Sequence, residues 1–270
     1  MKKDTIIVSF TTWPKRDKFV PLMIETINSQ SLKPDKVIMW LSEEEYPNKV
    51  IPQYLCDCVA KGYITDIMWT QSNIYAHKRW ETQKLFPQAY NITVDDDILY
   101  EKDFIKDLYE TSSKHPNCVT EWTTRLNIYE GNKRIDINLF DTEFLLRNQF
   151  LSGLACFPPN LFPQDSFNFA NIRDEYGIKS DDAWIRAWLV KKRIGIIGVH
   201  NIENKKWRGI KGTEECGNWL INKQINENGV QGIVKNFANS LIVINAIDEA
   251  LKLWPKFDIY GCSDINIEKI

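Results

Sequence analysis

Apolar residues fall in short runs along the first hundred positions, and helically spaced segments lie between them. Residues 5–10, Thr-Ile-Ile-Val-Ser-Phe, predict a buried first strand. A polar loop follows from Thr11 to Arg16, where Pro14 stops the strand. Asp17 then stands where it can cap a helix over 18–29, with Phe19, Leu22, Met23 and Ile27 at helical spacing. The pattern repeats: strand 36–41, helix 50–60 closed by Gly62, strand 64–69, helix 77–85 stopped by Pro87, strand 90–94. Three strand–helix units in succession predict a parallel sheet covered by helices.

Beyond residue 100 the pattern changes. A helix is expected over 103–113, with Phe104, Ile105 and Leu108 inward. Residues 119–129 and 134–139 read as a hairpin around a turn at 130–133. Residues 149–157 read as a strand carrying Gly153, and 168–177 as loop or short helix. Residues 180–191 form a helix that opens on Ser180-Asp181-Asp182, and 195–199 a last short strand ending at His200. The polar, glycine-containing stretch 201–217 is expected to be a mobile flap, and 237–253 a final helix ended by Pro255. No linker separates the parts. The chain reads as one domain, 1–270, with an α/β half (1–100) and a mixed half (101–270).

Composition narrows the class. With 270 residues and 43% hydrophobic positions, the chain can build a sizeable core. A net charge of −2 argues against a nucleic-acid binder that relies on a broad basic surface. Six cysteines in a chain this long do not make a disulfide framework, and Cys56 and Cys58 lack zinc spacing. No run of about 18 apolar residues occurs, and residues 1–10 lack a secretory pattern. Reduced thiols and a cytoplasmic location are the expectation.

The chemistry concentrates at Ile92-Thr93-Val94-Asp95-Asp96-Asp97-Ile98. A strand runs straight into three carboxylates, at the end where open α/β sheets place ligands. Adjacent anions repel more strongly as water is excluded, and a hard cation such as Mg²⁺ or Mn²⁺ would relieve the repulsion. The plainer alternative is a solvated turn, or Asp97 capping a helix that starts at Ile98; a cap needs one Asp, not three. Asp181 and Asp182, likewise, are either functional or N-caps favoured by the helix dipole. His200 is a candidate third metal ligand, against a partly buried structural histidine.

The opening Ser9-Phe10-Thr11-Thr12-Trp13-Pro14-Lys15-Arg16, with Ser29-Gln30-Ser31-Leu32-Lys33-Pro34-Asp35-Lys36-Val37 after the first helix, resembles that of family 2-like glycosyltransferases of the GT-A fold. Asp95-Asp96-Asp97 is similar to their DXD element, after the fourth strand. Ser180-Asp181-Asp182-Ala183-Trp184 resembles their later acidic element at the head of a helix. The resemblance spans roughly residues 5–200. It implies an α/β fold with a mostly parallel central sheet flanked by helices, a mixed acceptor-side half and a C-terminal helix.

It further implies a hexosyltransferase-type enzyme. The donor would be a nucleoside-diphosphate sugar, most simply uridine-linked, and the acceptor a glycan or lipid-linked saccharide. Asp95 and Asp97 would hold Mn²⁺ or Mg²⁺, with His200 as a further ligand. Asp182 would be the general base of an inverting transfer, with Asp181 its stand-in. Thr11 and Arg16 would contact the nucleotide, and His77, Lys78, Asp95, Asp96 and Gly153 the rest of the nucleotide sugar. Trp207 and Arg208 suit a closing flap. Surface polysaccharide assembly (capsule, exopolysaccharide or lipopolysaccharide) at the inner face of the membrane is the implied setting, with peripheral membrane association and no nucleic acid. The alternative is a degenerate GT-A domain that binds nucleotide or glycan without turnover. A nucleotidyltransferase fits less well, because 11–16 contains no glycine.

Overall fold

The computed structural model describes residues 4–124, 129–130, 133–134, 153–162, 181–192, 194–201, 207–213 and 216. The calls at 168–177 and 237–253 lie outside these residues.

In chain order the strands are β1 (Ile6–Thr11), β2 (Lys36–Ser42), β3 (Asp66–Thr70), β4 (Tyr90–Val94), β5 (Ile98–Tyr100), β6 (Cys118–Thr124), β7 (Tyr129–Glu130), β8 (Lys133–Arg134), β9 (Leu154–Phe157), β10 (Gly195–Asn201) and β11 (Trp207–Gly209). The helices are α1 (Val20–Asn28), α2 (Gln53–Ala60), α3 (Glu81–Leu85), α4 (Phe104–Lys114) and α5 (Asp181–Lys192), with short 3₁₀ turns at Asp17–Phe19, Pro47–Lys49 and Tyr75–Trp80. Among the described residues, seven strands form one sheet in the order β10-β6-β9-β4-β1-β2-β3. β1, β2, β3 and β4 run parallel, as the strand–helix alternation predicts. β9 alone is reversed, and pairs antiparallel with β4 on one side and β6 on the other. The fold is therefore α/β with a mostly parallel central sheet, and its strands come from both halves of the chain.

Side-chain alternation assigns the two faces. Ile6, Val8 and Phe10 of β1 point into the larger core, with Met23, Ile24 and Ile27 of α1, Leu55 of α2 and Phe104, Ile105 and Leu108 of α4. Ile7, Ile38 and Trp40 point the other way. On that second face the Tyr75–Trp80 turn packs against β1 and β2. Gly62 ends the α2 turn at φ +73, the left-handed conformation expected of a helix-closing glycine.

Several expectations change. Asp17 does not cap the first helix: it opens a 3₁₀ turn, and its carboxylate accepts hydrogen bonds from the Tyr46 and Tyr54 hydroxyls. The helix read from 77 starts as a 3₁₀ turn at Tyr75 and becomes α-helical only at Glu81. The Ser9 hydroxyl takes the Arg79 carbonyl at 2.8 Å, a bond that anchors this turn to β1. Residues 98–100 form a strand rather than the head of a helix, so Asp97 is not an N-cap; α4 begins at Phe104. Among the described residues the hairpin is the β7–β8 pair (Tyr129↔Arg134, Glu130↔Lys133), and β6 is an inner strand with both edges used by β9 and β10; 125–128 and 135–139 lie outside the described residues. Residues 207–209, expected in a mobile flap, are a strand paired antiparallel with β5. Among the described residues no helix is long and apolar enough to cross a membrane.

Candidate functional site

Parallel strands end on one edge of the sheet, and their last residues are polar: Thr11, Ser42, Thr70 and, after Val94, the three aspartates. Because β9 runs backwards, it enters the sheet at that same edge. Leu154 pairs with Val94, so Gly153 faces Asp95. A Cβ at Gly153 would overlap the Asp95 carboxylate. The backbone here is fixed by Tyr100: the Asp95 N–H donates to its hydroxyl at 2.7 Å, and the hydroxyl donates to the Gly153 carbonyl at 3.0 Å. The glycine is thus required by the position of Asp95. Gly153→Ala is expected to cost about 1–3 kcal/mol, as overpacking does, and to push Asp95 off its partners. Urea denaturation checks it; an unchanged midpoint would mean that Asp95 relocates freely.

The three aspartates are not equivalent. Asp96 turns inward and is 5% exposed. The Thr12 hydroxyl donates to its Oδ2 at 2.6 Å, and the Arg16 guanidinium pairs with Oδ1. The same Arg16 nitrogen reaches Asp97 Oδ2 at 2.9 Å. The Asp97 and Asp95 side chains keep partial access to solvent, 30% and 36% exposed. Burial first, then the charge of Asp95, pushes the Asp97 carboxyl up to about 7, against the opposing pull of Arg16.

Arg79, the last of the basic run His77-Lys78-Arg79, of which only His77 and Lys78 are assigned to the nucleotide sugar from sequence, lies at the centre. Its Nη1 pairs with Asp95 and donates to the Val94 carbonyl at 3.2 Å. Its Nε and Nη2 both donate to Asp181 Oδ2, at 3.0 and 2.7 Å. The Trp80 indole N–H donates to the same oxygen at 2.9 Å. Burial opposes ionisation of Asp181, but Arg79, then His77 and the donated hydrogen bonds, hold its carboxyl below the usual range. Asp181 is 5% exposed, whereas Asp182, next to it in the first turn of α5, is half-buried. The two acidic elements, some 85 residues apart in sequence, therefore meet on one guanidinium.

The remaining candidates divide. Arg16 joins the site. Thr11 donates to the Trp40 carbonyl of β2 at 2.8 Å, and its neighbour Thr12 reaches the acidic cluster instead. Lys78 is buried and pairs with Glu45 beyond the end of β2; burial lowers its pKa against the pull of Glu45. His77 is wholly buried. His200 lies on β10, three strands and so roughly 14 Å from β4. It sits edge-on to Trp122 with ring centroids 4.4 Å apart, and its Nε2 is 3.6 Å from Asp107. The structure does not bring it to Asp95 and Asp97. β11 does return to the cluster, since the Ile210 N–H donates to the Asp97 carbonyl at 2.7 Å.

Among the described residues no three His, Cys, Asp or Glu side chains converge as a complete metal cage. Two carboxylates do suffice for an ion that takes its other ligands from water and phosphate. Asp95 and Asp97 fit that role: both are hard oxygen donors, both reach solvent, and burial together with the neighbouring carboxylates raises the Asp97 pKa, a cost that a cation would offset. Asp96 does not, being enclosed by Thr12 and Arg16.

No protein-family model matches the chain, and no curated protein does. Among solved structures, that of S. aureus TarS 1–349 in complex with UDP-GlcNAc is 13% identical, over 88% of this chain and 66% of that one, with a TM-score of 0.49. The complex of TarS 1–349 with UDP is 11% identical over 87% and 65%, with a TM-score of 0.48. S. aureus TarS itself is 15% identical over 88% and 43%, with a TM-score of 0.46. The chain thus spans between about two fifths and two thirds of the length of these three.

Proposed function

We propose that this chain is a metal-dependent glycosyltransferase that moves a sugar from a nucleoside-diphosphate sugar, uridine-linked by preference, to a hydroxyl of a glycan or lipid-linked acceptor, with inversion. One observation carries the reading: two acidic elements from distant segments converge at the C-terminal edge of a parallel sheet, one with carboxylates open to solvent and the other with a half-buried carboxylate at a helix start. Asp95 and Asp97 would hold Mg²⁺ or Mn²⁺. Bound there, the cation would offset negative charge developing on the diphosphate leaving group. Arg16 keeps Asp96 and Asp97 in place, and Asp182 accepts the proton of the acceptor hydroxyl. Work on surface polysaccharide at the inner face of a membrane is the setting proposed.

The test is calorimetry of the intact chain with UDP and Mn²⁺, followed by a screen of sugar nucleotides for turnover. Because Asp97 holds a proton below about pH 7, cation binding displaces it. Affinity for Mn²⁺ should therefore rise with pH up to neutrality and level off above it. At pH 6 binding should release a proton, seen as a dependence of the measured heat on the buffer's ionisation enthalpy. A flat pH dependence from 5.5 to 8 would remove Asp97 from the cation site. Nucleotide binding without turnover of any sugar nucleotide would favour the non-catalytic alternative.

A further inference from the structure

Arg79 is used twice, once by each acidic element. Nη1 meets Asp95 and the end of β4, while Nε and Nη2 share one oxygen of Asp181 at the start of α5. The side chain is 5% exposed, and its backbone is held as firmly as its head. Each hydroxyl has one proton to give. The Ser9 hydroxyl gives its proton to the Arg79 carbonyl, so the Thr82 hydroxyl donates to Ser9 at 2.7 Å, and the Trp40 indole N–H donates to Thr82 at 2.7 Å. This buried chain runs from β2 through α3 and β1 to residue 79. Trp80, the next residue, packs against Phe157 and Phe162, which also touch each other, and it donates to Asp181. The segment 79–80 therefore grips Asp181 from a position that the sheet fixes.

We propose that Arg79 is a positioning residue that couples the donor-side carboxylate Asp95 to the head of α5, so that occupation of Asp95 sets the placement of Asp182. The proposal rests on the reading of Asp95 as donor-side and Asp182 as base. A ligand at Asp95 draws on the carboxylate that Arg79 holds, and the remaining bonds of the same rigid guanidinium end on Asp181. A planar guanidinium fork holds both carboxylates at fixed angles; an ammonium in its place keeps the charge but not the fork geometry.

The experiment follows the Trp80 indole N–H in the ¹⁵N-labelled full chain, assigned through Trp80→Phe, during addition of Mg²⁺ and UDP. In the wild type the signal should shift on saturation, and in Arg79→Lys the shift should fall several-fold. An equal shift in Arg79→Lys, or none in the wild type, overturns the coupling. Kinetics supply the second readout. Arg79→Lys should lower kcat about 10²-fold, the usual cost of a misplaced catalytic group, while KM for the sugar nucleotide changes little. In Arg79→Ala, added guanidinium chloride in the millimolar range should restore part of kcat. An unchanged kcat, or a loss confined to KM, overturns the proposal. Should Arg79→Ala not fold, Arg79→Lys and Asp181→Asn carry the measurement. If the wild type turns over no sugar nucleotide yet its indole shift behaves as expected, the proposed function fails and the coupling stands.

Discussion

Asp97→Asn is expected to abolish turnover and, in the same protein, to raise the melting temperature above neutral pH. The two effects have one cause. Asp97 sits beside Asp95 and Asp96, with a carboxyl pushed up to about 7 by burial and by their charge. Its folded pKa thus lies above its unfolded value of about 3.9. The sign follows: the folded state binds the proton more tightly, so this group's contribution is fully present below about pH 4 and is lost as pH rises through 7. Above 7 the ionised carboxylate weighs against folding, by at most about 4 kcal/mol and less after allowance for its solvent contact. The amide keeps the shape and removes the charge, and the Arg16 guanidinium still has Asp96. Unfolding midpoints of the variant and the wild type should therefore converge near pH 4 and separate in favour of the variant as pH rises. The amide would also remove an anionic ligand of the proposed cation, so turnover should drop by about 10³ or more on the scale of lost electrostatic stabilisation. A variant less stable than the wild type at pH 8 would show that the cluster is a structural ion-pair network and not a site of stored repulsion. Retained activity in excess chelator would remove the metal from the proposal.

Much of this arrangement was legible in the sequence, and the parts that were not share a physical reason. The strands β1, β2 and β4 appear as apolar runs because each is buried on both faces, and β4 is found at 90–94 as expected. The acidic cluster at the end of β4 follows from the same run. What short-range pattern cannot carry is partner choice. Residues 119–129 read as one arm of a hairpin, yet pairing with β9 and β10 decides the place of β6 within the sheet. Ile98–Tyr100 is too short to announce itself, and it becomes a strand because residues more than a hundred positions later pair with it. Within the site, three adjacent aspartates look alike in sequence. Their difference, with Asp96 inward and the other two toward solvent, arises from Thr12 and Arg16 on the loop after β1. Arg79 stood in plain view between Lys78 and Trp80, but a 3₁₀ turn gives no periodicity by which to tell which of His77, Lys78 and Arg79 faces the site. A basic residue between two acidic elements is a usable signal only once the fold has brought those elements together.

Asp182→Asn is expected to leave donor and cation binding near wild type and to lower turnover by about 10² or more, the usual cost of losing a general base. The argument comes from the division of labour at the head of α5. Asp181 is enclosed, bonded three times over by Arg79 and Trp80, and held ionised. A carboxylate whose lone pairs are already engaged and whose proton affinity is depressed is a poor base. Asp182 shares the same turn but is half-buried, with solvent contact through which an acceptor could approach. An inverting transfer is a single in-line displacement, so the base must stand across the sugar from the diphosphate and its cation. Arg79 pairs with Asp95 at the end of β4 and with Asp181 at the head of α5, so the proposed cation ligands and the proposed base come from separate segments that meet in the fold. The conservative amide keeps the turn and the neighbouring charge network intact, so a loss of kcat with an unchanged nucleotide Kd would identify proton transfer. The product decides the stereochemistry: from an α-linked donor sugar, NMR should find a β-linked product. An α-linked product would require a nucleophile on the opposite face of the sugar, and Asp182 would then lose the role assigned to it here.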